Sequence, residues 1–195
     1  MNFFKKLFSK NTDTPQKPEN PGIDGVYTDE YFNSRYTEDQ LLSDDILVDG
    51  SFRMLNSFFM DNKIAPAIES PVYHPNNIDK AVTEEPGFYL YCKSFDQDDK
   101  QIGLMLTVAF SYYLINELGF KLYRDKTPEF PLRFMTLKYN NNGGVMSLYP
   151  FEYSLKVLNG EALFSDLLDR IKSSVGNIPT ADDFLDQFKK NLSQE

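Results

Sequence analysis

Histidine and cysteine, two side chains that often do nucleophilic, acid–base or metal chemistry, each occur once in the chain. His74 is the only histidine, so a Ser–His–Asp relay or a histidine metal site would have to use it. It lies in a proline-containing loop with no obvious second ligand beside it, and we expect a solvent-facing or hydrogen-bonded loop residue. Cys92, the only cysteine, excludes a disulfide within the chain and a cysteine-rich zinc site. Its neighbour Lys93 would point to the opposite face of a strand, so we expect a buried structural cysteine.

The acidic and glycine-rich stretches do not match known catalytic or ligand-binding spacings. DQDD at 96–99 lacks the alternating acids, glycine and distant glutamate of a calcium loop, so it predicts helix capping. Neighbouring acids on a helix do not face one another, which disfavours a two-carboxylate mechanism. NNNGG at 140–144 is not followed by Lys-Ser/Thr, so it is no phosphate loop. The sequence therefore predicts no catalytic residue, no cofactor and no metal, and an enzyme without a recognisable motif stays open as an alternative.

Charge is distributed unevenly along the chain, and the net charge of −9 argues against binding nucleic acid. Residues 24–49 carry eight acids against Arg35 alone, whereas residues 119–138 carry five bases against two acids. The two regions could attract each other within the fold. Alternatively, the acidic region could dock a protein partner with a basic surface. The second interpretation predicts the partner-binding residues Glu38, Asp39, Asp44 and Asp45.

The first 22 residues read as a short amphipathic basic segment followed by a linker. In MNFFKKLFSK, residues 1–10, lysines interrupt the apolar side chains, so we expect no export signal in this segment. Residues 11–22 contain three prolines among polar neighbours and predict a linker. The basic segment could dock a partner or make a weak, salt-sensitive contact with a membrane surface. Its predicted contact residues are Phe3, Phe4, Leu7 and Phe8.

The longest apolar stretch, IGLMLTVAFSYYLINEL at 102–118, predicts a buried helix. It is shorter than the ~20 apolar residues that a membrane-spanning helix needs, and it contains several polar side chains. Asp96, Asp98 or Asp99 could cap its start, and Gly119 follows its end. A line of small residues on one face would let another backbone approach closely; we expect a sheet there, with helix pairing as the alternative. These residues are Gly103, Thr107 and Ser111.

The patterns on either side of this helix predict an α+β domain over residues 23–195. Residues 120–126 and 132–139 alternate with period two, NNNGG predicts a turn, and VMSLYPF predicts a third strand. GFYLYCKSF predicts a further short strand. TEDQ predicts a helix start with Thr37 as N-cap and Gln40 reaching back. The expected fold is a small antiparallel sheet of three or more strands packed on the buried apolar helix, with flanking N- and C-terminal helices.

The stretches ELGFKLYRD and LYPFEYSLKVLNGE carry a resemblance that covers residues 101–172. An apolar helix ends in Leu-Gly, strands follow, and then come Tyr149-Pro150 and an Asn-Gly-Glu turn into a helix. This pattern resembles small uncharacterised bacterial α+β domains, some found near toxin–immunity loci. Members typically carry a Trp in the strand after the helix, where this chain has Phe120 and Tyr123. The resemblance implies a cytoplasmic bacterial protein that binds something, and it brings no catalytic residues with it.

We therefore expect a non-enzymatic, cytoplasmic binding protein of immunity or adaptor type that docks a protein partner through an acidic surface. The first alternative is a peripheral membrane or assembly adaptor anchored by residues 1–10. The sequence does not indicate an oligomeric state.

Overall fold

The structure, a computed structural model, describes residues 23–25, 29–41, 45–142 and 144–192. Within these ranges, the side chains of residues 23–25, 29, 184, 187, 188 and 192 are not described. The predicted basic segment 1–10 and linker 11–22 lie outside the described residues.

In the described part of the chain, helices and strands alternate at the start, four helices occupy the middle, and three strands followed by three helices complete the fold. The helices are α1 (Asp29–Arg35), α2 (Ile46–Asp61), α3 (Pro75–Thr83), α4 (Phe88–Lys93), α5 (Asp99–Leu118), α6 (Pro150–Leu158), α7 (Phe164–Val175) and α8 (Ala181–Leu192). The strands are β1 (Ile23–Gly25), β2 (Tyr36–Asp39), β3 (Lys121–Asp125), β4 (Met135–Asn141) and β5 (Gly144–Leu148), with a 3₁₀ turn at Pro131–Arg133.

The five strands form one antiparallel sheet in the order β1-β5-β4-β3-β2. The central strands β3, β4 and β5 follow one another in sequence, and Leu137 on β4 pairs with Leu122 on β3 and Leu148 on β5. These three leucines are buried. The predicted α+β fold class, with its three consecutive antiparallel strands, is confirmed, and two further strands extend the sheet at its edges.

The predicted helix start at TEDQ is wrong, because residues 36–39 form the edge strand β2. Tyr36 is buried, and its ring packs against those of Phe32 and Tyr123. Thr37 pairs with Arg124 of β3 instead of capping a helix. A four-residue capping pattern is a weak signal, and pairing with a strand 85 residues further along the chain overrides it here.

The predicted strand around Cys92 is also wrong, because residues 88–93 form helix α4. Phe88 and Cys92 are both fully buried, and they lie four residues apart on one helical face. Nearly every residue in this run is apolar, so an apparent period of two could not separate a strand from a short helix.

Helix α5 is confirmed as the buried helix. Asp98 is its N-cap, where its carboxylate accepts the Gln101 N–H at 2.8 Å and its own N–H donates to the Gln101 side chain at 2.7 Å. Gly119 ends the helix with a φ of 73°, which glycine adopts without strain. The buried residues of α5 lie on all sides of it, consistent with a helix that is enclosed by its neighbours. Among the described residues, no helix has the length and apolarity needed to cross a bilayer.

Two of the three small residues on α5, Gly103 and Thr107, pack against helix α6, not against the sheet as expected. A Cβ built on Gly103 would lie 3.0 Å from Leu155 of α6. One turn further along, the Thr107 hydroxyl lies 2.9 Å from the Ser154 hydroxyl, and both groups are fully buried. Gly103 and Thr107 therefore serve close helix pairing within the chain, which is the alternative to packing on a sheet.

A buried carboxylate joins helices α3 and α7. Asp79 on α3 is 7% exposed, and its two oxygens accept the backbone N–H groups of Phe164 at 2.7 Å and Ser165 at 2.8 Å. Helix α7 has no capping side chain at its own N-cap, Leu163. Asp79 thus caps α7 from another element and satisfies donors that the helix cannot satisfy itself.

We predict that Asp79→Ala lowers the free energy of unfolding by about 2–3 kcal/mol, because it leaves the buried Phe164 N–H and the partly buried Ser165 N–H without an acceptor. Urea denaturation measures the change. The control is Asp169→Ala at an exposed position of α7, which should stay within about 0.5 kcal/mol of the parent. Equal effects of the two substitutions would contradict the capping role.

We also predict that Leu106→Asp prevents stable folding. Leu106 is fully buried on α5, and an unpaired charge there loses its hydration without gaining a partner. Lys100→Asp, at an exposed position in the first turn of the same helix, is the control and should fold normally. Thermal unfolding followed by circular dichroism compares them, and a parent-like melting temperature for Leu106→Asp would rule out the enclosed α5.

Candidate functional site

His74 has a structural role, as expected. It is the N-cap of α3, where its Nδ1 accepts the Asn76 N–H at 3.2 Å. Its ring packs edge-on against Tyr113 at 4.9 Å between centroids. Burial, together with the charge of Lys172, lowers its pKa from the ordinary value. An uncharged ring with one nitrogen already accepting fits a capping residue.

Cys92 and the acids that follow it are also held in structural contacts. Cys92 is fully buried, and burial raises the pKa of its thiol to about 12, so it stays protonated. Lys93 pairs instead with Asp99 at 2.6 Å, and the Tyr89 hydroxyl donates to the same carboxylate at 2.9 Å. Asp98 caps α5. In the part of the chain that the structure describes, no group of three or more His, Cys, Asp or Glu side chains could hold a metal ion.

The acidic and basic stretches meet where β2 pairs with β3. Glu38 lies 3.4 Å from Lys121, and Asp39 lies 2.7 Å from Arg124, both pairs being largely exposed. The predicted attraction between the two charged regions is therefore present for two of the four acids proposed for docking. Exposed pairs of this kind contribute little stability, but they neutralise the local charge.

A more buried ion pair lies at the end of the same two strands. Arg35 contacts Asp125 through Nη2 at 2.8 Å and through Nε at 3.1 and 3.2 Å. The Asp125 side chain is only 3% exposed, and it also accepts the Thr127 N–H at 2.9 Å. The hydrogen bond to Asp125 raises the pKa of Arg35 above its ordinary value. This pair attaches the end of α1 to the end of strand β3.

The start of α2 combines acids with exposed apolar side chains. Asp45 caps the helix by accepting the Leu47 N–H at 2.8 Å, and Asp49 pairs with Arg53 at 2.8 Å. Between these acids, Ile46 is 91% exposed and Leu47 is 40% exposed. We call Asp45, Ile46, Leu47 and Asp49 the α2 docking surface; Val48, which lies between them in sequence, is fully buried. Asp44, the remaining acid proposed for docking, lies outside the described residues.

The sequence analysis did not predict Ile46 as a contact residue, although one pattern in the sequence indicated that it would be exposed. Ile46, Arg53 and Met60 are spaced by seven and lie along one face of α2. Arg53 and Met60 are exposed, so that face is turned to solvent, opposite the buried Leu55 and Phe58. A charged residue at the centre of an apolar line indicates the solvent side of the helix.

Phe3, Phe4, Leu7 and Phe8, the predicted apolar contact residues of the basic segment, lie outside the described residues. The membrane-anchoring alternative depends on them and stays a prediction.

A groove opens where helix α6 turns into α7. Its volume is about 600 Å³, and the end of α3 forms its other wall. Val82, Leu158 and Leu163 supply apolar surface, and Glu161 and Asp166 supply carboxylates. The turn at the C-terminus of α6 shapes the wall opposite α3. In this turn Gly160 has a φ of 72°, and the Glu161 N–H donates to the Lys156 carbonyl at 2.9 Å. We call this feature the α6–α7 groove.

A third surface feature is an arginine held between aromatic rings. The Arg133 guanidinium lies 4.7 Å from the Phe130 ring centre and 4.4 Å from that of Tyr149, and its Nε lies 2.8 Å from Glu152. Burial, the largest single influence, opposes the charge of Arg133, but the hydrogen bond to Glu152 and the charge interactions with Glu152, Tyr149 and Glu129 together raise its pKa. Phe130 is 50% exposed, so the cluster presents apolar surface, yet its charge is balanced internally.

We predict that the two charged contacts of β2 and β3 differ in their effect on folding. Glu38→Gln with Asp39→Asn should lower the free energy of unfolding by about 1 kcal/mol in total, since both ion pairs are exposed. Asp125→Ala should cost about 2–3 kcal/mol, because it leaves the half-buried Arg35 and the Thr127 N–H without their acceptor. Urea denaturation measures the free energy of unfolding of both variants. A larger loss in the Glu38→Gln, Asp39→Asn variant than in Asp125→Ala would contradict the predicted difference between the exposed pairs and the buried one.

Comparison with models of protein families gives no match, and neither the curated proteins nor the solved structures give a significant one.

Proposed function

We propose that this chain is a non-enzymatic binding protein, of immunity or adaptor type, that docks a protein partner with a basic surface through the α2 docking surface. The observation that carries the proposal is Ile46, which is 91% exposed and stands in sequence between the acids Asp45 and Asp49. An apolar side chain in acidic surroundings is complementary to an apolar pocket with a basic rim.

The energetics of association support this arrangement. Complete burial of one isoleucine side chain contributes about 1.5–3 kcal/mol, which is the scale of an interface hot spot. The acids around Ile46 belong to a chain with a net charge of −9, and such a field speeds encounter with a basic partner. Apolar contact would supply the affinity, and charge would supply the rate and the selection of partner.

The placement of the other acids narrows the surface that sequence alone suggested. Glu38, Asp39 and Asp49 pair with Lys121, Arg124 and Arg53, so their charge is largely balanced before a partner arrives. Asp45 accepts the Leu47 N–H and stands next to the exposed Ile46. We therefore assign the centre of the interface to Asp45 and Ile46, and a position at its edge to Glu38 and Asp39.

The side chains that could take part in catalysis already have structural roles, which supports binding rather than catalysis. His74 caps α3, Cys92 is a protonated core thiol, and Asp79 caps α7. Each is already used by the fold.

The test is affinity capture with two matched variants of α2. Ile46→Ser removes the proposed anchor, and Met60→Ser removes another apolar side chain on the solvent face of the same helix, where Met60 is 69% exposed. Proteins captured from native lysate by each form are quantified by mass spectrometry at low and high salt. We expect a basic protein that the parent and Met60→Ser capture equally, that Ile46→Ser fails to retain, and that salt releases.

Identical capture profiles for the two variants would contradict the α2 docking surface. Circular dichroism spectra that match the parent are the control for folding, and both positions are exposed enough for substitution to leave the core intact.

A further inference from the structure

The α6–α7 groove has the chemistry of a site for a basic, apolar peptide. Its apolar surface comes from Val82, Leu158 and Leu163, and its carboxylates come from Glu161 and Asp166. The residues that line it include no lysine or arginine. Arg170, one turn beyond Asp166 on α7, donates to the Tyr153 hydroxyl at 3.1 Å and to the Asp166 carbonyl at 3.3 Å. The groove is therefore concave, partly apolar and acidic at its rim.

The chain itself contains a segment of complementary chemistry. In MNFFKKLFSK, four large apolar side chains alternate with three lysines, and no acid is present. At helical spacing Phe4, Leu7 and Phe8 share one side, which leaves the lysines free to meet carboxylates. A volume of about 600 Å³ is within the range of about 300–1,000 Å³ typical of sites that enclose a small ligand, and two or three such side chains are of that size.

The linker is long enough to bring this segment to the groove. Ile23 pairs with Met146 on β5, and α6 starts four residues later and ends at the groove. One strand spacing, four strand residues and nine helix residues give a path of at most about 32 Å. The linker, residues 11–22, can span about 37–40 Å when extended. A tether of this length gives a local concentration in the millimolar range, so a weak contact is sufficient to populate the docked form.

We propose that the α6–α7 groove binds the chain's own basic segment, residues 1–10, with Phe4, Leu7 and Phe8 on its apolar surface and the lysines beside Glu161 and Asp166. This site is separate from the α2 docking surface, and neither proposal depends on the other.

The experiment measures where the segment lies in the full-length protein. Ser9→Cys carries a nitroxide spin label, and the buried, protonated Cys92 should leave position 9 as the reactive thiol, with the parent chain as the labelling control. Paramagnetic broadening of backbone amide signals then maps the label. We expect loss of signal at Gly160, Glu161 and Leu163 at low salt, and recovery of the signal at high salt.

Two variants with the same change in net charge test the rim. Glu161→Lys with Asp166→Lys should abolish the broadening, whereas Asp182→Lys with Asp186→Lys, at exposed positions of α8, should leave it unchanged. Phe4→Ser with Phe8→Ser should reduce it without altering the fold. Circular dichroism spectra check that each variant remains folded.

Three results would overturn the proposal. The first is broadening that survives the groove variant or is absent throughout. The second is broadening centred on the α2 docking surface, which places the segment elsewhere. The third is equal broadening when spin-labelled protein is mixed with unlabelled, isotope-enriched protein, because the occupant would then be the segment of a second copy.

Discussion

A helix that is apolar on all sides must be covered on all sides, and this requirement organises the molecule around α5. Helices α2, α3 and α6 and strand β3 contact it, and its buried residues lie around its whole circumference. Polar atoms on such a helix need partners inside the core. The Thr107 hydroxyl has Ser154, but the buried Ser111 hydroxyl has no hydrogen-bond partner within the described ranges. An unpaired group of this kind costs about 1–3 kcal/mol, which the surrounding apolar contacts have to exceed.

The cover around α5 also explains where polar residues are used. α3 is one part of that cover, and Asp79 on α3 fixes the start of α7, which is buried through Phe164. On the other side of the sheet, α1 supplies a small second core, where Phe32 packs with Tyr36 and Tyr123. In the first half of the chain, the charged residues Arg35, Glu38 and Asp39 attach α1 and β2 to strand β3. The acids that do not attach α1 or β2 include Asp45 and Asp49, which lie where the chain leaves the sheet and enters α2.

The elements that could be predicted from the sequence are those with long local patterns. The 20 residues of α5, the alternating strands around the NNNGG turn and the amphipathic C-terminal helices carry their own signals. β1 has three residues and β2 has four, and each gains its stability from a partner strand that is distant in sequence. No local pattern contains that information. The same limit applies to the candidate sites, because the exposure of Ile46 depends on which face of α2 meets α5, and the α6–α7 groove exists only where α3 meets α6 and α7.

The two proposed sites share an acidic, apolar chemistry, but their shapes suit different ligands. The α2 docking surface projects Ile46 outwards, so it fits a partner that surrounds the side chain and contributes a large area of its own. The α6–α7 groove is concave, and it can enclose a few side chains of a short segment that has little area to offer. A short segment binds weakly in free solution, and a tether compensates for this by raising its local concentration. A folded partner has no tether and needs the affinity of a wide interface. Shape and linkage, rather than charge, would therefore decide which basic ligand occupies which acidic surface.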